Sequence, residues 1–394
     1  MADVQAPARP ALYTPTFVAL CLIAFFSFSQ SFVLQPIIPL LVLSLGGDTA
    51  IVGVALGVFS IPSIVLRPVI GRIADRWGRE RIVFLSAAAN SVCAALYLVP
   101  SLLVLIGVRF FHGVGWGGFN TGATSTLARI APPSRRLEAS SAFDLMPSLG
   151  SLVMPALALV LLDRISFAGP LVLASSLGAG AALLSLVAFR PWRARSDEPP
   201  RASVRGPWLE PAAILPMLMV LLFTSASSLF LVYPPILAQE RGIPITDLAF
   251  YYPAYGLVLA VSRAATGRLF EPQSRSVLLA AAAVIAGIGL VIGAFASTLL
   301  LMTLAAVIFA VAYGISAPTA QAIVMERAPR ERLGAAMATY TLGFQVGSGI
   351  GAAIWGFLLG PLGFTYVFLV AAGIQIVLFV VSLSRRAELG SVGP

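Results

Sequence analysis

The sequence predicts an all-α membrane protein with twelve transmembrane helices arranged as two pseudo-symmetric six-helix bundles. Three observations carry that prediction. The chain has 394 residues, of which 59% are hydrophobic and only 10% charged. Ordinary soluble domains run at about 45–50% apolar and about 25% charged, so this chain lacks the polar surface to stay dissolved. It divides into twelve apolar windows near the length a bilayer demands, about 20 residues each. Its second half also repeats landmark residues of the first at one fixed offset.

The same composition excludes a set of soluble domains, a disordered chain and a disulfide-stapled module. A net charge of +9 would suit a nucleic-acid binder, but no nucleic-acid partner is expected. All 25 basic residues are Arg, and their placement follows membrane topology. Cys21 and Cys93 lie inside apolar runs, where inert buried thiols are expected and neither a disulfide nor a metal site is.

Residues 1–16, polar and Pro-rich, read as a cytoplasmic tail leading into a retained first helix and not as a cleaved signal. The N-terminal lobe, 17–189, holds helices at 17–45, 50–71, 82–100, 102–127, 137–162 and 166–189. A charged, Pro-rich linker spans 190–210. The C-terminal lobe, 211–384, holds helices at 211–238, 246–269, 276–296, 299–326, 333–359 and 363–384, and residues 385–394 form a second tail. With both termini cytoplasmic, the inner loops, tails and helix ends carry 20 of the 25 Arg. The outer loops carry Arg164 and Arg241. Arg67, Arg109 and Arg263 fall inside apolar runs. Inverting the protein would invert that split, so the orientation follows the positive-inside rule.

An offset of 196 residues superposes the halves without a gap. Arg67-Pro-Val-Ile-Gly71-Arg72 meets Arg263-Ala-Ala-Thr-Gly267-Arg268, and Arg79 meets Arg275. Pro39 meets Pro235, Gly118 meets Gly314, and Pro133 meets Pro329. A tandem of like six-helix units, with the site between them, is the parallel repeat of two-lobed transporters.

Helix one alternates Phe25, Phe26, Phe28 and Phe32 with Ser27, Gln30, Ser31 and Gln35. Such an aromatic stripe can pack or face lipid, but the interleaved amides and hydroxyls favour a lined path that includes Phe26, Gln30 and Gln35. Helix seven offers Thr224, Ser225, Ser227 and Ser228 at the corresponding place. Helix eleven adds Tyr340, Phe344, Gln345 and Ser348, with glycines for packing. Tyr251, Tyr252, Trp355 and Tyr366, near outer helix ends, read as the interfacial aromatic belt.

Between helices two and three lies Gly71-Arg-Ile-Ala-Asp75-Arg76-Trp-Gly78-Arg79-Glu-Arg81. Gly71 would permit close helix approach and Gly78 a tight turn. Asp75 can cap a helix or pair with Arg, and Arg76, Arg79 and Arg81 suit the cytoplasmic face. Here the sequence resembles the major facilitator superfamily, whose loop signature is Gly-x-x-x-Asp-Arg/Lys-x-Gly-Arg. The resemblance implies a cytoplasmic gate latch at this loop that favours the outward-facing state and binds no substrate. In the second half Gly267 and Arg268 persist, Glu271 stands for the Asp, and Pro272 follows.

On helix four Arg109, His112, Trp116 and Asn120 recur at i, i+3, i+7 and i+11, which is one helical face. Gly113 with Gly117 and Gly118 with Gly122 are small-xxx-small pairs suited to tight packing. The pattern is similar to the superfamily motif associated with proton-coupled families. An intramembrane Arg costs at least ~2.5 kcal/mol on insertion scales, so it has a task or a partner. Two readings stand for Arg109, proton coupling or a structural tie to helix one at Gln30 or Gln35. For His112 they are tuning of a proton site or a satisfied interior imidazole.

Helix five carries Asp144, the one carboxylate well inside an apolar run. A carboxyl there can load and release a proton, and the competing reading pairs it with a gate Arg. Six residues on, Gly150-Ser-Leu-Val-Met-Pro155 resembles the antiporter motif of the exporter families. Gly150 and Pro155 are kept, while Met154, Leu157 and Ala158 replace glycines. That favours export. Arg67 and Arg263, each one turn from a loop, are expected to snorkel to the surface or join the latch.

No phosphate-cradling Gly-rich loop with Lys exists, since the chain has no lysine, so the expected fuel is an ion gradient with no cofactor. One charge crossing 100 mV is worth ~2.3 kcal/mol, or about 40-fold accumulation per proton. The resulting expectation is a monomeric secondary active transporter, and the resemblance implies a bacterial inner membrane. It would export a small amphipathic drug or metabolite by proton antiport through alternating access. A uniporter or proton symporter for a sugar or small metabolite is the alternative, and a non-transporting sensor or scaffold is weaker for want of a sizeable extramembrane domain. An enzyme is not expected, with a single His and no clustered metal or nucleophile set.

Overall fold

A computed structural model describes residues 11–132, 135–189, 209–269, 275–329, 332–386 and 389. Most of the N-terminal tail, nearly all of the linker, most of the C-terminal tail, and Pro133, Glu271 and Pro272 lie outside them. So do the side chains of Asp75 and Arg268. The N-terminal half holds α1 (Pro15–Ser44), α2 (Thr49–Val65), α3 (Arg67–Trp77), α4 (Arg79–Leu96), α5 (Leu102–Ile130), α6 (Arg136–Ile165) and α7 (Ala168–Ala188). The C-terminal half holds α8 (Pro211–Leu231), α9 (Pro234–Glu240), α10 (Leu248–Leu269), α11 (Arg275–Ala294), α12 (Leu299–Arg327), α13 (Leu333–Val346) and α14 (Ala352–Ser384). A π-helical turn, Gly347–Gly351, joins α13 to α14.

Local chemistry sets these boundaries. Thr14, Asp48, Ser101 and Thr298 cap the N-termini of α1, α2, α5 and α12 by accepting a backbone N–H three residues on, as short polar side chains do. Pro68 has no N–H to return to the preceding turn, and the second span bends by 47° between α2 and α3. Gly78 ends α3 and starts α4 at φ 96°, a conformation that a Cβ disfavours. Gly71 differs from expectation: a Cβ there would meet nothing within 4 Å, so no close approach requires a glycine at that position.

Among the described residues nine helices are long and apolar enough to cross a membrane, or ten if the bent α2–α3 pair is one span. The 50-residue run Ala335–Ser384 counts there as a single helix, yet Gly363 breaks it at φ 72°. Splitting it there and adding α4, whose first turn is charged, gives the twelve spans of the sequence pattern. The seventh window also divides, at Val232 and Tyr233, where Pro234 and Pro235 start a new short helix.

Within the first half α1 packs on α6 and α7, α4 on α5 and α7, and α2 on α5. Within the second half α11 packs on α12 and α14, α10 on α12, and α8 on α13. Two seams join the halves, α2 against α14 and α6 against α10. Three of the aromatics expected in the interfacial belt are buried instead. Tyr251 and Tyr252 donate to the carbonyls of Phe230 and Leu231, and the Trp355 indole donates to Ser225 O at 2.9 Å. The broken end of α8 leaves the Phe230 and Leu231 carbonyls without helical partners, and the two tyrosines supply donors. Only Tyr366 is exposed, at 64%.

Candidate functional site

The polar side chains inside the membrane fall into two groups. The first lies within the N-terminal half. Arg109 Nε donates to Ala55 O on α2 at 3.0 Å, and its guanidinium sits 4.2 Å from the Phe59 ring centroid. It also bonds the Tyr97 hydroxyl, at the end of α4, whose oxygen lies 2.9 Å from His112 Nδ1. Arg109 and His112 are both buried.

Glycine makes this group possible by letting α5 approach two helices at once. A Cβ on Gly117 would lie 2.8 Å from Ser63 O of α2, and one on Gly122 would lie 2.9 Å from Val83 of α4. Gly113 presses on Phe59 and Gly118 on Ser86 more closely still. The two small-xxx-small pairs therefore serve opposite neighbours. Further along the same helix Trp116 packs edge-on against Phe28 of α1 at 5.2 Å, and Asn120 donates to Trp116 O. The one helical face read from sequence is real, but only its Trp116–Asn120 end is partly exposed.

The second group straddles the halves. Asp144 of α6 is exposed, and the Arg263 guanidinium of α10 lies within electrostatic reach of it. Arg263 also bonds the Tyr313 hydroxyl and lies 5.4 Å from that ring's centroid. Tyr255 and Tyr340 lie within electrostatic reach of the same guanidinium. On the other seam the Arg67 guanidinium meets the Gln345 side-chain amide of α13, whose oxygen, with the amide turned over to satisfy both groups, accepts from Nη1 at 3.0 Å. Phe344 beside it is 38% exposed.

Other expected path residues lie elsewhere. Gln30 is buried and donates to Asn90 O of α4 at 2.7 Å. Tyr340 is buried and donates to Ala317 O of α12. Phe26 is half-buried beside Phe25, and Gln35 has a buried Oε1 without a partner. Gly150 lets α6 approach α1, its virtual Cβ 3.1 Å from Ser29 Oγ, while Pro155 is buried within an unbroken α6. Arg76 of the loop motif is exposed, and neighbouring Glu80 forms an ion pair with Arg129. Arg67 and Arg263 do not snorkel. Each is half-buried and turned toward the opposite half. Their position one turn from a loop concealed this, but their equivalence in the repeat was a signal available in the sequence.

The halves touch closely at several glycines. A Cβ on Gly53 of α2 would lie 2.6 Å from Ala353 O, and one on Gly356 would lie 2.7 Å from Gly53 Cα. On the second seam a Cβ on Gly256 would lie 3.4 Å from Leu152 Cα. Toward the Gly71–Arg81 loop, α3 packs on α5, α4 and α2 of its own half, and Asp144 and Phe344 are accessible.

Two six-helix halves around an accessible, polar seam define a membrane transporter of the two-lobed kind, not an enzyme. The chain belongs to the Major Facilitator Superfamily, whose sequence profile matches residues 20–279 and 217–391. It is 22% identical over 371 residues to an uncharacterized MFS-type transporter of Methanocaldococcus jannaschii, covering 89% of this chain and 93% of that one. The staphylopine export protein of Staphylococcus aureus is 24% identical over 36% of each chain. A probable sulfoacetate transporter of Cupriavidus necator is 23% identical over 43% of this chain and 40% of its own. Among solved structures, a POT family transporter in complex with a thioalcohol-conjugated peptide superposes with a TM-score of 0.80 at 14% identity, covering 95% of this chain and 96% of that one. A bacterial homologue of the lysosomal transporter Spinster gives 0.74 at 17% identity, with the same coverage.

Proposed function

We propose that this protein is a proton-coupled secondary carrier of a small organic molecule, with Asp144 as its proton site. The observation that carries the reading is an accessible carboxylate facing a guanidinium across the seam between the lobes. A group between lobes changes its surroundings when they rock, so its proton affinity can differ between the two states, which is what coupling requires. Gly53, Gly356 and Gly256 serve as contacts between the lobes. Arg109, Tyr97 and His112 hold α2, α4 and α5 together and act on the proton site only through that scaffold.

Export by proton antiport is favoured by the Gly150–Pro155 motif and by likeness to the staphylopine exporter. Cotransport with a proton is favoured, for an acidic solute, by the guanidinium opposite Asp144. In either case the protein acts as a monomer with no cofactor, in a bacterial inner membrane with both termini cytoplasmic.

Inverted vesicles energised acid-inside test this reading. Lipophilic cations, neutral drugs, sugars and organic acids are added to wild type and to Asp144→Asn. An antiported compound collapses the pH gradient in wild type alone. A cotransported acid moves protons in the opposite sense, again only with Asp144. Labelled solute that equilibrates with no proton movement in any case refutes proton coupling and leaves a facilitator.

A further inference from the structure

The seam between α6 and α10 is not filled along its length. The helices come into contact where Gly256 meets Leu152. Beside that contact lies a cavity of about 460 Å³, lined from α6 by Leu152, Ala156, Leu157 and Val160 and from α10 by Ala254 and Leu257. Its volume falls in the range of small-molecule sites, about 300–1,000 Å³. Ala156 and Ala254 are too small to close the space between the two helices. Leu157 and Leu257 are 37% and 58% exposed, so the cavity is an open groove. With apolar walls on two membrane-spanning helices, it suits hydrocarbon and not a polar solute.

Charge stands at one end of this groove. The Glu80–Arg129 ion pair holds the end of α5 beside the Gly71–Arg81 loop, and α6 starts there and runs away from it. At the remote end of α6, Asp163 and Arg164 follow Val160 at i+3 and i+4, on either side of the face that lines the groove. Both are exposed, and among the described residues neither side chain has an ion pair or hydrogen bond. Arg164 is one of only two Arg in the loops at this end, where the positive-inside rule leaves few. The turn Ile245–Asp247, which opens α10, packs on α6 and brings the Asp247 carboxylate to the same end. Phe250, 79% exposed, lies one turn before Ala254 on the lining face of α10.

We infer that this groove binds a phospholipid, with one acyl chain lodged between α6 and α10, the phosphate at Arg164, and a headgroup amine favoured by Asp163 and Asp247. From Leu152 to Val160 is about 12 Å of helix, close to the ~15 Å of hydrocarbon in one leaflet. The apolar walls therefore give way to charge at the depth where lipid headgroups begin. A guanidinium is the side chain that best matches phosphate oxygens. The two carboxylates outnumber the guanidinium, so a headgroup with an amine beside its phosphate is held better than an anionic one. One wall of the groove belongs to each lobe. A chain seated there bridges the lobes and favours the arrangement in which both walls meet it. The site is separate from the Asp144–Arg263 seam residues and does not depend on which solute crosses.

The test is native mass spectrometry of the delipidated full-length chain, titrated in detergent with phosphatidylethanolamine or phosphatidylglycerol. Wild type is expected to retain one phosphatidylethanolamine at least threefold more tightly than phosphatidylglycerol, and to melt at a higher temperature with it bound. Ala254→Phe fills the groove and should cut retention fivefold or more. Arg164→Gln should cut it to a similar degree and Arg164→Lys by less. Leu183→Phe, on the exposed face of α7, should retain lipid as wild type does. Arg164 is exposed, so its variant carries the test even where Ala254→Phe fails to fold. Undiminished retention in Arg164→Gln, or equal retention of the two lipids by wild type, overturns the inference. So does a lipid adduct that Leu183→Phe loses as readily as Ala254→Phe, or a dimer of the chain formed in place of the adduct.

Discussion

The chain holds three arginines inside its apolar spans, and their surroundings differ in kind. Arg109 is sealed within one lobe, its Nε on Ala55 O, its plane on Phe59, and Tyr97 joining it to His112. Arg67 and Arg263 stand at the seam between lobes, half-buried and incompletely bonded. In a rocking carrier the inside of a lobe moves as a body, whereas the seam is remade in each cycle. A satisfied charge inside a lobe is a fastening. An unsatisfied charge at the seam is available to a ligand.

Removing Asp144 should give the largest effect of the contrast. Asp144→Asn is expected to cut proton-coupled flux by tenfold or more while leaving the melting temperature near wild type, because its carboxylate is accessible. Paired flux and melting measurements check this, and a variant that melts early while retaining coupling would break the comparison. Arg109→Ala should do the reverse. It strips Tyr97 of one partner and empties the space beside Phe59, for a loss of about 1–3 kcal/mol. Denaturation in mild detergent reads that loss, and among the molecules that remain folded the ratio of protons to solute should be unchanged.

Glycines sharpen the same contrast with one kind of substitution. Gly117→Leu crowds Ser63 inside a lobe and should lower folding yield. Gly53→Leu crowds Ala353 across the seam and should part the lobes there without unfolding them. Cysteine accessibility at that contact, measured on introduced single thiols, separates the two outcomes. The smallest effect belongs to Tyr97→Phe. It removes the buried bonds of the hydroxyl to Arg109 and His112, each worth about 1 kcal/mol, with no change in coupling, and calorimetric or chemical denaturation would register it.

The loop and helix motifs were partly legible in the sequence. Gly78 takes the positive φ that its place in the Gly71–Arg81 motif suggested, whereas Gly71 touches nothing that a Cβ would disturb. The helical face from Arg109 to Asn120 was visible from spacing. Which neighbour it met was not, because a residue interval says nothing about the helix lying alongside. Gln30 illustrates the same limit. An amide among hydroxyls suits a path lining, yet it also suits the donor that Asn90 O receives.

What the sequence alone determined is whatever depends on solvent and on short range. Apolar window length gives the spans, arginine placement gives the expected orientation, and the 196-residue repeat gives two like halves. Capping residues and prolines set most of the helix ends. Only the tertiary structure decided which intramembrane charges are sealed and which face the seam. Arg109 and Arg263 are the same residue in equally apolar stretches, and insertion cost alone cannot separate them. The difference lies in partners contributed from far along the chain: Ala55 and Tyr97 for one, Asp144 and Tyr313 for the other. An ion's stability in a low-dielectric interior depends on the groups within a few ångströms of it, and packing is what brings those groups there.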